Sequence, residues 1–210
     1  MSKHLVLLGD SIFDNAPYVP PSHAVSDHLA SLLPKWDITL LATDGDTTAE
    51  MPQQMAKLPT GATHLVLSVG GNDALQCLPQ LKTPCRDVME ALAVLTHMRS
   101  DFQKAYGDVV SQLLEHDLPL SVCTIYDQVP GLAAELKTAL ALFNEIILAK
   151  AAQHQLPIID LRHICSDPGD YSSRSPIEPS SLGGRKIASA LADMLQSWNN
   201  QHHRGRLHVR

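Results

Sequence analysis

The 210-residue chain is poor in aromatic side chains, only 4% of the total, and so lacks material for an extended stacking platform for bases or long sugar chains. It also lacks an excess of positive charge. Lys+Arg total 16 against 22 for Asp+Glu, a net charge of −6, which argues against a nucleic-acid backbone or an anionic membrane surface as partner. No apolar run approaches a membrane span, and the stretch before Gly9-Asp10 is too short for a signal-peptide core, so a soluble, cytoplasmic protein is expected. Cys77, Cys85, Cys123 and Cys165 form no Cys-x-x-Cys pair and have no zinc-type histidine spacing. Neither a disulfide framework nor a metal centre follows from them. With no Gly-x-Gly-x-x-Gly and no Gly-x-x-x-x-Gly-Lys loop, a nucleotide cofactor is disfavoured as well. What the chain has in quantity is histidine, 11 residues, the side chain that most often serves as a general base.

Short apolar runs at His4–Leu8, Ile38–Ala42, Leu65–Val69, Leu120–Ile125 and Pro157–Leu161 read as strands buried on both faces. Helical patterns separate them. Ser22–Leu33 is one; Leu132, Leu136, Leu140, Phe143 and Ile147 mark the inward face of another; Asp87–Glu115 reads as two pieces; a last helix runs from Ser180 or Ser181 to about Trp198. Alternating strands and helices predict an α/β protein with a parallel sheet covered on both sides. One domain over residues 1–198 is expected, followed by a basic, flexible tail over 199–210.

Ligands of open parallel sheets bind beyond the carboxyl ends of the strands. Three consecutive strand ends carry Gly9-Asp10-Ser11, then Asp44-Gly45-Asp46, then Gly70-Gly71-Asn72-Asp73. Each string alone reads equally well as a turn. Together they deliver a hydroxyl, a glycine N–H and a carboxamide to one edge, the donors and nucleophile that hydrolytic attack on a carbonyl requires. These strings resemble the first three sequence blocks of the SGNH hydrolases, the GDSL esterase/lipase superfamily. The resemblance continues through Ile159-Asp160-Leu161 to Glu178-Pro179-Ser180-Ser181-Leu182-Gly183-Gly184. It implies a three-layer α/β/α sandwich with a five-stranded, flavodoxin-like parallel sheet and cofactor-free hydrolysis of small acyl esters. It further implies Ser11 as nucleophile and Ser11, Gly45 and Asn72 as oxyanion donors.

The last family block, Asp-x-x-His-Pro, is different here: Ser175-Pro176-Ile177-Glu178-Pro179. The acid is replaced by Ser175 and the base by Glu178. An ordinary carboxylate is a weaker base than imidazole by roughly 3 kcal/mol of proton affinity, so Glu178 serves as the base only where burial raises its pKa. His163, after the fifth strand, is a substitute candidate. A module that has lost its base and holds an acyl, carboxylate or sugar group in the oxyanion pocket is the alternative, and acyl transfer would share the same acyl-enzyme. Asp10, Asp14, Asp44, Asp46 and Asp73 lie near strand ends, but without a compact Asp-x-Asp-x-Asp-Gly loop they read as loop caps rather than metal ligands.

Overall fold

The computed structural model describes residues 3–197 and the backbone of 207–208. Among the described residues, six strands run parallel in the order β2-β1-β3-β4-β5-β6. They are β1 Lys3–Gly9, β2 Trp36–Leu40, β3 His64–Ser68, β4 Leu120–Cys123, β5 Ile158–Ile159 and β6 Leu207–His208. The first five form the expected flavodoxin-like sheet. The sixth is a two-residue extension from the segment read as a flexible tail: Leu207 and His208 pair with Ile158 and Ile159. The rest of that tail, like Trp198, lies outside the described residues.

Helices α1 Val25–Leu32 and α7 Ser181–Ser197 cover one face, and α4 Val88–Leu114 and α5 Ala134–His154 cover the other. Alternation along β1 divides the core accordingly. Leu5 and Leu7 join the α1 and α7 side with Phe13, Val25 and Ile187, while Val6 and Leu8 join Phe102, Tyr106 and Phe143 on the α4 and α5 side. Three short helices, α2 Met51–Met55, α3 Gly71–Gln76 and α6 Leu161–Ile164, follow strand exits or loops.

Three expectations are corrected. Strand β2 starts two residues before the predicted run and is only half-buried, because it is the edge strand. Leu41 and Ala42, past its end, still donate to the Leu7 carbonyl. Asp87–Glu115 is a single 27-residue helix, α4. Gly107 within it is a contact point rather than a break, since a Cβ there would lie 3.1 Å from Cε of Lys150 on α5. On α5 the predicted inward face splits: Phe143 and Ile147 are fully buried in the core, while Leu132, just before the helix, and Leu136 and Leu140 on it line a cavity at the strand ends.

Candidate active site

The turn carrying Ser11 begins where β1 and β3 end side by side. Gly9 has φ +129°, and a Cβ on it would sit 1.8 Å from the Ser68 carbonyl oxygen, so only glycine fits. Past this crossing, Asp10 N–H donates to Ser68 O at 3.1 Å, and Phe13 and Asp14 donate back to Asp10 O. Ser11 is thereby fixed at the start of a tight turn and is 7% exposed. At the end of β3, Gly70 also has positive φ, +128°, and turns the chain into α3, which brings Asn72 to the same edge.

Gly45 stands in the turn closed by the Asp46 N–H to Thr43 O bond, with φ +87° and open space where a Cβ would be. The Asn72 carboxamide ties this turn down by donating from Nδ2 to Asp46 O at 2.9 Å, and Nδ2 retains a second N–H. Gln54 on α2, which the sequence reading did not single out, links the same turn to β1. Its Oε1 accepts from Gly9 N–H at 2.9 Å, and its Nε2 donates to Gly9 O at 2.7 Å and to Asp46 Oδ2 at 2.8 Å. A glutamine in a short amphipathic segment carries no sequence signal for this role.

Glu178 arrives from the opposite side, in the loop before α7. Its residue is 5% exposed. The loop is tied on every side: Ser172 N–H donates to Glu178 O at 2.8 Å, the Tyr126 hydroxyl donates to Ile177 O, and Ser180 N–H donates to Asp170 O at 2.8 Å. Asn15, fully buried, joins the two halves of the site. Its Nδ2 donates to Pro179 O at 3.2 Å, and its Oδ1 accepts from Val25 N–H at 2.9 Å.

Ser11, Asn72 and Glu178 line one cavity of about 160 Å³, together with Asp10, Tyr126 and a wall of aliphatic side chains. The Ser11 hydroxyl lies beside the Glu178 carboxylate and favours its ionised form, but burial outweighs this and, with help from the negative charge of Asp44, pushes Glu178 up to about 7. One carboxylate oxygen of Glu178, Oε2, is buried without a hydrogen-bond partner. Asp10 is raised further, to about 8. Burial is the main cause, opposed by the bond its Oδ1 accepts from Ile12 N–H and reinforced by Glu178 and Asp73.

Gly45 is not among the residues lining the cavity, although its turn borders Asn72. His163 is not brought to it either: its side chain is 59% exposed and its Nε2 lies 3.9 Å from Asp160 Oδ2, an acid already held by Arg162 and Thr124. The remaining strand-end aspartates serve the loops. Asp14 accepts from Asp44 N–H, Asp46 from Gln54 and Asp73 from Thr48.

The serine turn after the first strand and the carboxyl before the last helix meet at the carboxyl ends of a parallel sheet, where ligands of such sheets bind. The chain belongs to the GDSL-like lipase/acylhydrolase family, which it matches over residues 7–186. Among solved structures it is similar to the acetyl xylan esterase AlAXEase, at 17% identity and TM-score 0.69, covering 93% of this chain and 99% of that one. It is also similar to the psychrotrophic esterase EstA from a Pseudoalteromonas species, at 14% identity and TM-score 0.68, covering 95% and 100%. A phospholipase A1 from Streptomyces albidoflavus matches at 18% identity and TM-score 0.66, covering 94% and 99%. At these identities the likeness concerns the fold. No curated protein matches the sequence at a significant level. Among the described residues, no helix is long and apolar enough to cross a membrane.

Proposed function

We propose that the protein is a serine esterase in which Ser11 attacks an acyl ester and Glu178 acts as its base. The observation that carries this reading is the meeting of Ser11 and Glu178 in one cavity, where burial brings the carboxylate to a pKa of about 7, the range in which imidazole works. Family membership supports ester hydrolysis as the reaction. Glu178 takes the hydroxyl proton as Ser11 Oγ bonds to the carbonyl carbon. The carbonyl oxygen, now negative, is held by the N–H group of Ser11 and the carboxamide of Asn72, the two expected donors whose residues line the cavity. Collapse breaks the ester bond, and the departing alkoxide takes the proton back from Glu178. Water then repeats the sequence on the acyl-enzyme, releasing the acid and freeing Ser11.

A fluorophosphonate probe should label wild type and not Ser11→Ala. Hydrolysis of p-nitrophenyl esters should vanish in Ser11→Ala, and for wild type kcat/KM should climb as pH rises through about 7, where Glu178 ionises, and level off above. Wild type that neither labels nor exceeds Ser11→Ala would instead assign the cavity to holding a ligand without turnover.

A further inference from the structure

The cavity is asymmetric in its chemistry. Its polar groups come from the strand ends and the loop of Glu178, which also contribute Ile125, Val129 and Ile177, whereas beyond Asn72 the helical wall is wholly aliphatic: Leu75 and Leu78 from α3 and the turn after it, Leu132 just before α5, and Leu136 and Leu140 on it. These leucines contribute nothing to the fully buried core, and Leu75 and Leu78 remain 41% and 37% exposed, an expense of apolar surface that a polar or acetyl group would not cover. Leu136 and Leu140, one helical turn apart, lay about 6 Å of continuous hydrocarbon along the wall. A cavity of about 150 Å³ lined by similar side chains is known to take up benzene, a six-carbon ligand, and the volume here is about 160 Å³.

We propose that this wall binds the hydrocarbon of the substrate's acyl group, and that the preferred substrates are esters of unbranched acids of about six to eight carbons. The inference rests on Ser11 acting as nucleophile, which puts the acyl carbon at the polar end of the cavity. The acyl chain then runs along α5, away from Glu178, which must stay beside the departing alcohol to return its proton.

The test is a pair of ester series. With p-nitrophenol as the constant leaving group, kcat/KM should rise by up to about fourfold per methylene from acetate toward hexanoate and octanoate, then cease to rise. With acetate as the constant acyl group, lengthening the alcohol from ethyl to octyl should change kcat/KM by less than about threefold. Leu136→Trp and, independently, Leu140→Trp should move the acyl optimum to two to four carbons while fluorophosphonate still labels Ser11, which shows that the site is intact. Ser11-dependent hydrolysis with a flat acyl profile, or with the length dependence in the alcohol series, overturns the acyl assignment and leaves the esterase reading standing. Binding to Ser11→Ala separates the two in the other direction. If wild type is inert but p-nitrophenyl octanoate still binds that variant at least tenfold more tightly than the acetate, the esterase reading falls and the apolar site stands; equal binding removes both.

Discussion

The two halves of the site are held in different ways. Ser11 and Asn72 are placed mainly by backbone: two glycines with positive φ, an interlocked pair of strand ends and local turn bonds, with the Gln54 side chain as the one long-range brace described for this half. Glu178 is placed by side chains from distant parts of the chain. Asn15 reaches Pro179, Tyr126 reaches Ile177, Ser172 Oγ reaches Tyr18 O, and Lys186 clamps Asp170 beneath the loop. A nucleophile held by backbone tolerates little change in its local sequence. On the proposed reading, a base position held by side chains accepts another chemistry provided its surroundings change with it.

The exchange also changes the electrostatics. A histidine base becomes a cation when it takes the serine proton, and an adjacent carboxylate steadies that cation. In the proposed mechanism Glu178 becomes neutral, so an acid at position 175 would have nothing to steady, and Ser175 stands there instead. The largest expected effects test this. Glu178→Gln should lower kcat/KM by about 10²–10⁴. Glu178→His alone should recover little of that loss, whereas Ser175→Asp combined with Glu178→His, which restores both parts of the ordinary arrangement, should exceed Glu178→His. Equal activity of the two variants would show that the base half does not depend on charge in this way.

The next effect concerns the nucleophile half. With Glu178 as base, one negative charge moves from carboxylate to oxyanion, and no cation forms nearby to attract it. The donors must supply the stabilisation. Asn72→Ala is therefore expected to lower kcat by about 10²–10³ with a smaller change in KM. A loss confined to KM would mean that Asn72 acts on ground-state binding alone.

Asn15 lies between the halves and gives the third prediction. It is fully buried, and its two bonds join the serine turn, the start of α1 and the Glu178 loop. Asn15→Ala leaves the Pro179 carbonyl and the Val25 N–H without partners, at a cost of about 1–3 kcal/mol each where water cannot reach them. The Tm should fall by several degrees, and kcat should fall while Ser11 remains labelled by fluorophosphonate. Unchanged kcat with lowered Tm would make Asn15 a purely structural tie.

The same contrast explains what could be read from the residues alone. The strand runs, the glycine turns and Asn72 were legible because local patterning and steric exclusion of a Cβ determine them. The site itself was less so. Gln54 and Asn15 act over 45 and 164 residues of sequence separation, distances at which a single chain offers no pattern. Asp10 read as a loop cap, which its bond to Ile12 supports, but its raised pKa follows from burial beside Glu178 and Asp73. Leu136 and Leu140 fit a core-facing helical stripe, and only the position of α5 over the strand ends turns them toward the cavity. The abundance of histidine is no guide to the proposed base: the His163 side chain, after the fifth strand, is exposed and lies outside the cavity lining.

The smallest effect is one of stability, and its sign follows from linkage. Glu178 has a pKa of about 7 in the folded protein against 4.5 when free, and Asp10 about 8 against 3.8. Both bind protons more tightly folded than unfolded, so their favourable contribution is complete below about pH 4 and is lost as pH rises toward 8. Carboxylates held low by hydrogen bonds, such as Glu50 and Asp160, act oppositely, but their contribution is lost only as pH falls into the ordinary carboxylate range. Between pH 5 and 8 the raised carboxyls, Asp73 among them, lose stabilisation while His64 and His28, which burial lowers, gain it, so the Glu178 contribution is read as the difference between a variant and wild type. Glu178→Gln carries no titrating proton and should lose less Tm than wild type across that interval, ending more stable at pH 8 by on the order of 1–3 kcal/mol, a few degrees in a chain of this size. Asn72→Ala, which removes no titrating group, should keep the wild-type slope. Parallel slopes for all three proteins would mean that the Glu178 carboxyl is no harder to ionise folded than unfolded. In that case the burial of the base loop would not be what equips a carboxylate to replace histidine.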